Sequence, residues 1–221
     1  MNGKLLVIEG SDGAGKATQT ALLVNRLRAN GRQVEQIDFP RYTTNFFGKF
    51  LRDCLDGKHG TFATLDPRIA SLIYAADRYE SSQQIREWLE SGVDVVADRY
   101  VSANMLHQGS KINDKREREA FLRWLHEAEY KVFGIPQPDI VIYLDVPYEI
   151  RKEWMIRDRT RGTLDTVEMD ETYQTQHEQS AHHLKQLYEH WRQIDCVDEG
   201  RLLSREQIHD MVYQTVANLL A

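Results

Sequence analysis

Short apolar runs, each closed by glycine or an acidic residue and each followed by a longer amphipathic segment, set the rhythm of this chain. KLLVIEG near the start is almost wholly apolar and ends in glycine, the signature of a strand buried on both faces of a sheet. QVEQIDF, VDVVADRY, DIVIYLDV and the shorter QIDCV repeat the form. Between the first two, Leu22, Leu23 and Leu27 fall at helical spacing over 18–30, with Asn30-Gly31 as the stop. Helical spacing returns over about 46–57 and again from Asp66 to Gly92, where Asp66 is the N-cap and Pro67 the first helical residue. Phe121, Leu122, Leu125, Ala128, Tyr130 and Val132 define a helix over 114–133, and further helices are predicted over about 148–158, over about 170–192 and from about 204. Strands alternating with helices predict a parallel sheet with helices on both faces. No repeat, low-complexity tract or linker interrupts the pattern, so the expectation is one α/β domain over 1–221.

Composition narrows the classes. No apolar run is long enough to span a bilayer, so no membrane partner is expected. The start of the chain lacks the basic, apolar and small-residue regions of a secretory leader, which points to the cytoplasm. Cys54 and Cys196 form no framework and no CxxC pair, so they are expected to be reduced, buried thiols. A net charge of −6 argues against a general nucleic-acid binder and makes any local cluster of arginines informative.

The first candidate chemistry follows the first strand. In GSDGAGKAT, Gly10, Gly15 and Lys16 fit the phosphate-binding template G-x-x-x-x-G-K-[ST], with Ser11, Asp12, Gly13 and Ala14 between the glycines. A strand before and a helix after give the context the motif needs. Glycines let backbone N–H groups turn inward around phosphate oxygens, the helix N-terminus adds partial positive charge, and Lys16 reaches the β- and γ-phosphates. Thr18 follows, but position 17, which the template gives to a hydroxyl, holds Ala17. That weakens the magnesium part of the motif and leaves the phosphate part intact. A plain glycine turn between strand and helix is the bland alternative. Asp98 and Arg99 end the third strand, where parallel sheets place ligand-binding groups; Asp98 could hold Mg2+ directly or through water, and Arg99 could grip a phosphate. Such a pair is also what a structural ion pair looks like.

EGSDGAGKATQ, FPRY, AADRYE, DRYVSAN, PDIVIYLDV and an arginine-bearing segment, in that order, resemble the thymidylate kinases. The resemblance implies a P-loop nucleoside-monophosphate kinase fold with a short lid over about 157–168, working as a homodimer with ATP as phosphoryl donor, Mg2+ as cofactor and dTMP as acceptor. Carried over residue by residue, Asp12 falls near the acceptor sugar and the metal. Phe39 and Arg41 fall in the acceptor loop, with the arginine close to the dTMP phosphate. Tyr74 stacks on thymine, and Arg78, one helical turn on, donates to a thymine oxygen; a core tyrosine beside a surface arginine is the alternative. Arg99, beside Tyr100, matches the arginine on the acceptor phosphate, and Asn104 a contact to the base. His107 and Gln108 follow where the family usually has an aromatic beneath the deoxyribose, so His107 departs from the pattern. His182 and His183 lie in a polar helix and are expected at the surface.

Arg157, Arg159 and Arg161 of MIRDRTRG supply candidate positive charge for the transferring phosphoryl group. The resemblance implies that this charge sits either in the P-loop or in the lid, and with Gly13 in the loop it falls to the lid. A solvated basic loop is the alternative for each. Two other functions share parts of the pattern: a kinase for another nucleoside monophosphate or a deoxynucleoside, and a P-loop switch that hydrolyses nucleotide slowly. Arg41 and Arg99 favour an acceptor that already carries phosphate, and no guanine-reading NKxD motif is present.

Overall fold

A computed structural model describes residues 2–157 and 171–220 of the chain. Its strands are β1 (Leu5–Gly10), β2 (Val34–Asp38), β3 (Asp94–Asp98), β4 (Ile140–Asp145) and β5 (Trp191–Asp195), joined in one parallel sheet in the order β2-β3-β1-β4-β5. All six residues of β1 are buried, because the strand lies between β3 and β4 with helices above and below. Successive side chains point to opposite faces. Leu5 and Val7 therefore join Val95, Ala97, Val141 and Tyr143 in one core, while Leu6 and Ile8 join Val96, Ile142 and Leu144 in the other.

Helices α1 (Lys16–Ala29), α2 (Phe46–Leu55), α3 (Pro67–Glu90), α4 (Val101–His107), α5 (Lys115–His126), α6 (Tyr148–Arg157), α7 (Glu171–Leu187) and α8 (Arg205–Leu220) cover the sheet. α3, α4, α5 and α7 pack on the first core; α1 and α8 pack on the second. Asp66 caps α3, accepting from the Arg68 amide, with Pro67 at the first turn as expected. The α/β class, the parallel sheet and the flanking helices are those the sequence pattern predicts. Cys54 and Cys196 are free and buried, also as expected.

The differences are local. Residues 101–107, for which no helix was expected, form α4. The helix expected over 114–133 ends at His126 and continues as a wider turn over Glu127–Val132, where Phe133 N–H donates to the Ala128 carbonyl five residues back. The last strand begins at Trp191, two residues before the expected QIDCV, because α7 stops at Leu187. A small hairpin of β6 (Val197–Asp198) and β7 (Arg201–Leu202) leads into α8. His182 is exposed, but His183 is half-buried, 3.9 Å from Glu119.

The chain fills one side of β1 with β3 and β2, then crosses to β4 and β5 on the other side. The C-terminal ends of β1 and β3 flank that change of direction, which is where open α/β sheets bind ligands.

Candidate active site

The loop after β1 and the start of α1 line a cavity of about 740 Å³ together with Asp98, Arg99, Val146, Met155 and the segment entering α8. Lys16, from the first turn of α1, folds back so that its ammonium donates to the Ser11 carbonyl at 2.9 Å and stands 3.7 Å from the Asp12 carboxylate. Burial, with Arg99 adding repulsion, lowers the Lys16 amine to about 8. Arg99 enters from the end of β3 and pairs with the same Asp12 oxygen. Burial opposes the charge on Asp12, but Arg99 and Lys16 outweigh it and hold the carboxyl well below its ordinary value. Arg99 carries a left-handed backbone (φ 65°), a conformation L side chains rarely keep unless the surroundings hold it. The hydrogen bond that its amide N–H donates to the Ile8 carbonyl, at 3.0 Å, is one such hold.

Gly13 (φ +83°) sits where a side chain has no room. A Cβ built there would lie 2.9 Å from Met155 Cγ and 3.6 Å from Arg151 Cβ, both on α6. That packing gives a steric reason why the loop carries no arginine at this position. Arg159, Arg161 and most of the expected lid lie outside the described residues; Arg157 is the last residue of α6, its side chain likewise outside.

Asp98 ends β3, its carboxyl raised by burial although Lys16 and Arg99 lie near. With Asp12 it gives the cavity two carboxylates; the described residues hold no cluster of three or more metal-ligating side chains. Oxygen ligands of this kind suit Mg2+, which usually takes one or two carboxylates, substrate phosphates and water. Ala17 and Thr18 also line the cavity.

The other half of the site sits under α3 and α4. Arg78 and Asn104 converge on Glu129: Arg78 Nε donates to Oε2 at 2.7 Å, its Nη2 pairs with Oε1, and Asn104 Nδ2 donates to Oε1 at 2.9 Å. All three are buried. The expected surface position for Arg78, had it been only a helix residue, is thereby replaced by an interior one. Tyr74, half-buried one turn before, stands edge-on to Phe62 with ring centres 5.8 Å apart. Phe39 and Tyr100 are core residues, their rings 5.7 Å apart. Gln108 is buried, and its Oε1 has no hydrogen-bond partner among the described residues.

Arg41 is held by groups the sequence did not single out. Its amide donates to Asp77 Oδ2 at 3.0 Å and its Nη1 to Ser81 Oγ at 3.3 Å. Asn45 Nδ2 binds the other Asp77 oxygen at 2.9 Å. Gly48 lets α2 come this close, since a Cβ there would lie 2.1 Å from the Arg41 carbonyl oxygen.

His107 Nε2 accepts from Arg99 Nη1 at 3.0 Å, and its ring packs against that of His177 on α7 with centres 4.6 Å apart. Burial, with Arg99 adding repulsion, lowers His107 to about 3. It is therefore a neutral flat ring at neutral pH. His177, also lowered by burial, bonds Ser11 Oγ through Nδ1 at 3.1 Å. Sequence reasoning missed His177, Glu129, Asp77 and Arg151. Each is a polar residue on an otherwise helical stretch, and nothing local distinguishes it from a solvated one.

A glycine-rich loop opening onto a helix, a lysine folded over it and arginines facing it across the sheet's switch point define a P-loop kinase of the nucleoside-monophosphate class. The profile of the thymidylate kinase family matches residues 8–206, and the chain belongs to that family. Similar proteins include thymidylate kinase of Mycobacterium tuberculosis (strain H37Rv), 33% identical over 77% of each chain. Human thymidylate kinase is 34% identical over 65% of this chain and 61% of its own, and a probable thymidylate kinase of Thermococcus kodakarensis is 30% identical over 97% and 98%. The structure of thymidylate kinase from Candida albicans superposes with a TM-score of 0.77 at 22% identity, over 98% of this chain and 92% of that one, a likeness of fold.

Proposed function

We propose that this enzyme transfers the γ-phosphoryl of ATP to dTMP, giving ADP and dTDP on the way to dTTP. The observation that carries the reading is the convergence of Lys16 and Arg99 on one oxygen of Asp12, with Arg78 and Asn104 brought together on buried Glu129. Lys16 and the loop amides from Gly10 to Thr18 hold the donor phosphates. Arg41 and Arg99 hold the acceptor phosphate, so that the two reactants meet already oriented. Tyr74 gives a face to the thymine ring and Arg78 a donor to its edge, while Asn104, whose two amide hydrogens go to Glu129 and the Ser71 carbonyl, would contact the base through its oxygen. His107, with Gln108 beside it, takes the place of the aromatic under the deoxyribose. Arg157, Arg159 and Arg161 are assigned to the charge that develops on the transferring group.

Asp12 and Asp98 would hold Mg2+, which when bound neutralises the β- and γ-phosphate oxygens. We place the reaction in the cytoplasm, in keeping with the two free buried cysteines; no helix of the described residues is long and apolar enough to cross a membrane. We further propose a homodimer formed through α2 and α3. Phe46, 72% exposed and packed against Phe47, shares α2 and α3 with exposed Phe50, Ile69 and Leu72, apolar side chains that a second copy would cover. Phe46→Glu should then give a monomer by light scattering; an unchanged dimer mass removes this face from consideration.

The deciding experiment is ADP release with ATP and each common monophosphate in turn. dTMP should be turned over far faster than dCMP, dAMP or dGMP. Preferred turnover of dCMP or a purine monophosphate overturns the assignment.

A further inference from the structure

Arg151, in the second turn of α6, has a side chain with no exposure to solvent and is the largest fully buried side chain described. A guanidinium carries five N–H donors and no acceptor, so burying one demands oxygens on every side. Arg151 finds them on three separate segments. Its Nε donates to the Val146 carbonyl at 2.7 Å, at the end of β4. One Nη1 hydrogen goes to the Asp12 carbonyl at 3.1 Å, in the P-loop, and another to Gln174 Oε1 at 3.1 Å, on α7. Nη2 pairs with Glu178 Oε1 at 3.0 Å, one turn further along α7. Met155, one turn after Arg151, packs against Gly13 of the same loop.

The bond to the Asp12 carbonyl has a consequence across the peptide plane. In a trans peptide the C=O of one residue and the N–H of the next point in opposite directions and rotate together. A carbonyl at Asp12 that is fixed toward α6 therefore fixes the Gly13 N–H toward the opposite side, and Gly13 lines the cavity. Loops that cradle phosphate work through such inward amides, and a peptide plane free to flip would lose one of them.

We propose that Arg151 is a positioning residue for the donor nucleotide: it holds the Asp12–Gly13 peptide in its phosphate-binding orientation and ties that peptide to α7. The role rests on the P-loop being the donor site and is independent of which monophosphate is the acceptor. Its test is accordingly equilibrium binding of ATP alone and of dTMP alone, by calorimetry, beside the melting temperature. Arg151→Gln should weaken ATP by about tenfold or more, the scale of a lost charge-assisted hydrogen bond, and leave dTMP within about twofold. Arg151→Lys, which keeps a cation able to reach an oxygen or two, should recover part of the ATP affinity. A purely structural arginine would lower the melting temperature and either spare both ligands or weaken both by the same factor; either result overturns the proposal. If Arg151→Gln does not fold, Arg151→Lys decides. ATP-selective weakening sustains the role, and unchanged affinities for both ligands refute it. Loss of dTMP binding to the wild-type enzyme would strike the acceptor assignment and leave this one standing.

Discussion

Arg78 and Glu129 are 51 residues apart in sequence and meet in the interior as a two-pronged ion pair, with side-chain exposures of 3% and 0%. Neither charge has water as an alternative partner, so each depends on the other. The pair also stops the guanidinium from turning, with Nη1 reaching the Tyr100 carbonyl at 3.3 Å; under the proposed function the N–H groups left over are those that meet the base. Arg78→Ala is expected to narrow the preference for dTMP over dCMP by roughly 1–3 kcal/mol, the worth of one well-made polar contact in a site. It should also lower stability by about 3–5 kcal/mol, because buried Glu129 loses its counter-charge and keeps only the neutral Asn104 amide. Glu129→Gln keeps a partner for the arginine and should cost less stability than Arg78→Ala. Competition assays with the two monophosphates and denaturant titrations separate the effects; an unchanged dTMP preference in folded Arg78→Ala would remove this residue from base reading.

Gly13 and Met155 make a second coupled pair. Gly13→Ala should destabilise the fold by about 1–3 kcal/mol and depress turnover, since the new methyl meets Met155 and the backbone must keep φ at +83°. Shortening the neighbour, in Gly13→Ala/Met155→Ala, should recover the steric part and leave the backbone part. A double-mutant cycle measures the coupling. Additive effects would mean that the clash is relieved some other way.

The depressed Lys16 amine gives a pH signature. At about 8 against an ordinary 10.5, Lys16 is partly neutral in the free enzyme at mildly alkaline pH. Between those two values the unfolded chain holds more protons on this group than the folded one. Its contribution to folding stability therefore rises with pH through that window. Phosphate oxygens favour the ammonium, so ATP binding should draw a proton onto Lys16. The dissociation constant for ATP is expected to climb above about pH 8, by at most tenfold per pH unit. Calorimetry in buffers of different ionisation heat should show proton uptake that Lys16→Met abolishes.

Ala17 and Asp98 make unequal contributions to metal handling. Ala17→Ser adds one neutral oxygen beside Lys16 and should lower the magnesium needed for half-maximal rate by about tenfold at most, roughly 1.4 kcal/mol. Asp98→Asn removes a charge from a partly buried carboxyl and should raise that requirement by more. Magnesium titrations at saturating ATP and dTMP compare them. A flat response to Asp98→Asn beside a strong one to Ala17→Ser would mean the metal is held elsewhere.

What could be read from the sequence was what short-range chemistry fixes. The buried strands announce themselves through unbroken apolar runs, and the P-loop through glycine spacing between a strand and a helix, so the sheet and the phosphate loop are legible in the chain itself. The wide turn over Glu127–Val132 was not, because it breaks the helical period that predicted a single helix, and the same break conceals that Glu129 faces inward. His177 and Arg151 stand on helices with polar faces, and only the docking of α6 and α7 on the P-loop makes them interior groups. Asp77 was quoted inside a motif, yet its task of holding the Arg41 amide depends on a loop arriving from 36 residues away.

Asp12 is a tethered counter-ion for Lys16 and Arg99. Any anion that enters the loop has to displace a carboxylate that shares its backbone and cannot diffuse off, so the local competitor is always present at high effective concentration. Weakly charged anions from the surrounding solution lose that exchange. A triphosphate, which brings several charges and engages the loop amides as well, wins it. Under the proposed function the loop would thus favour a highly charged donor over simple anions, and the carboxylate displaced in the exchange would become available to the metal as the phosphates arrive.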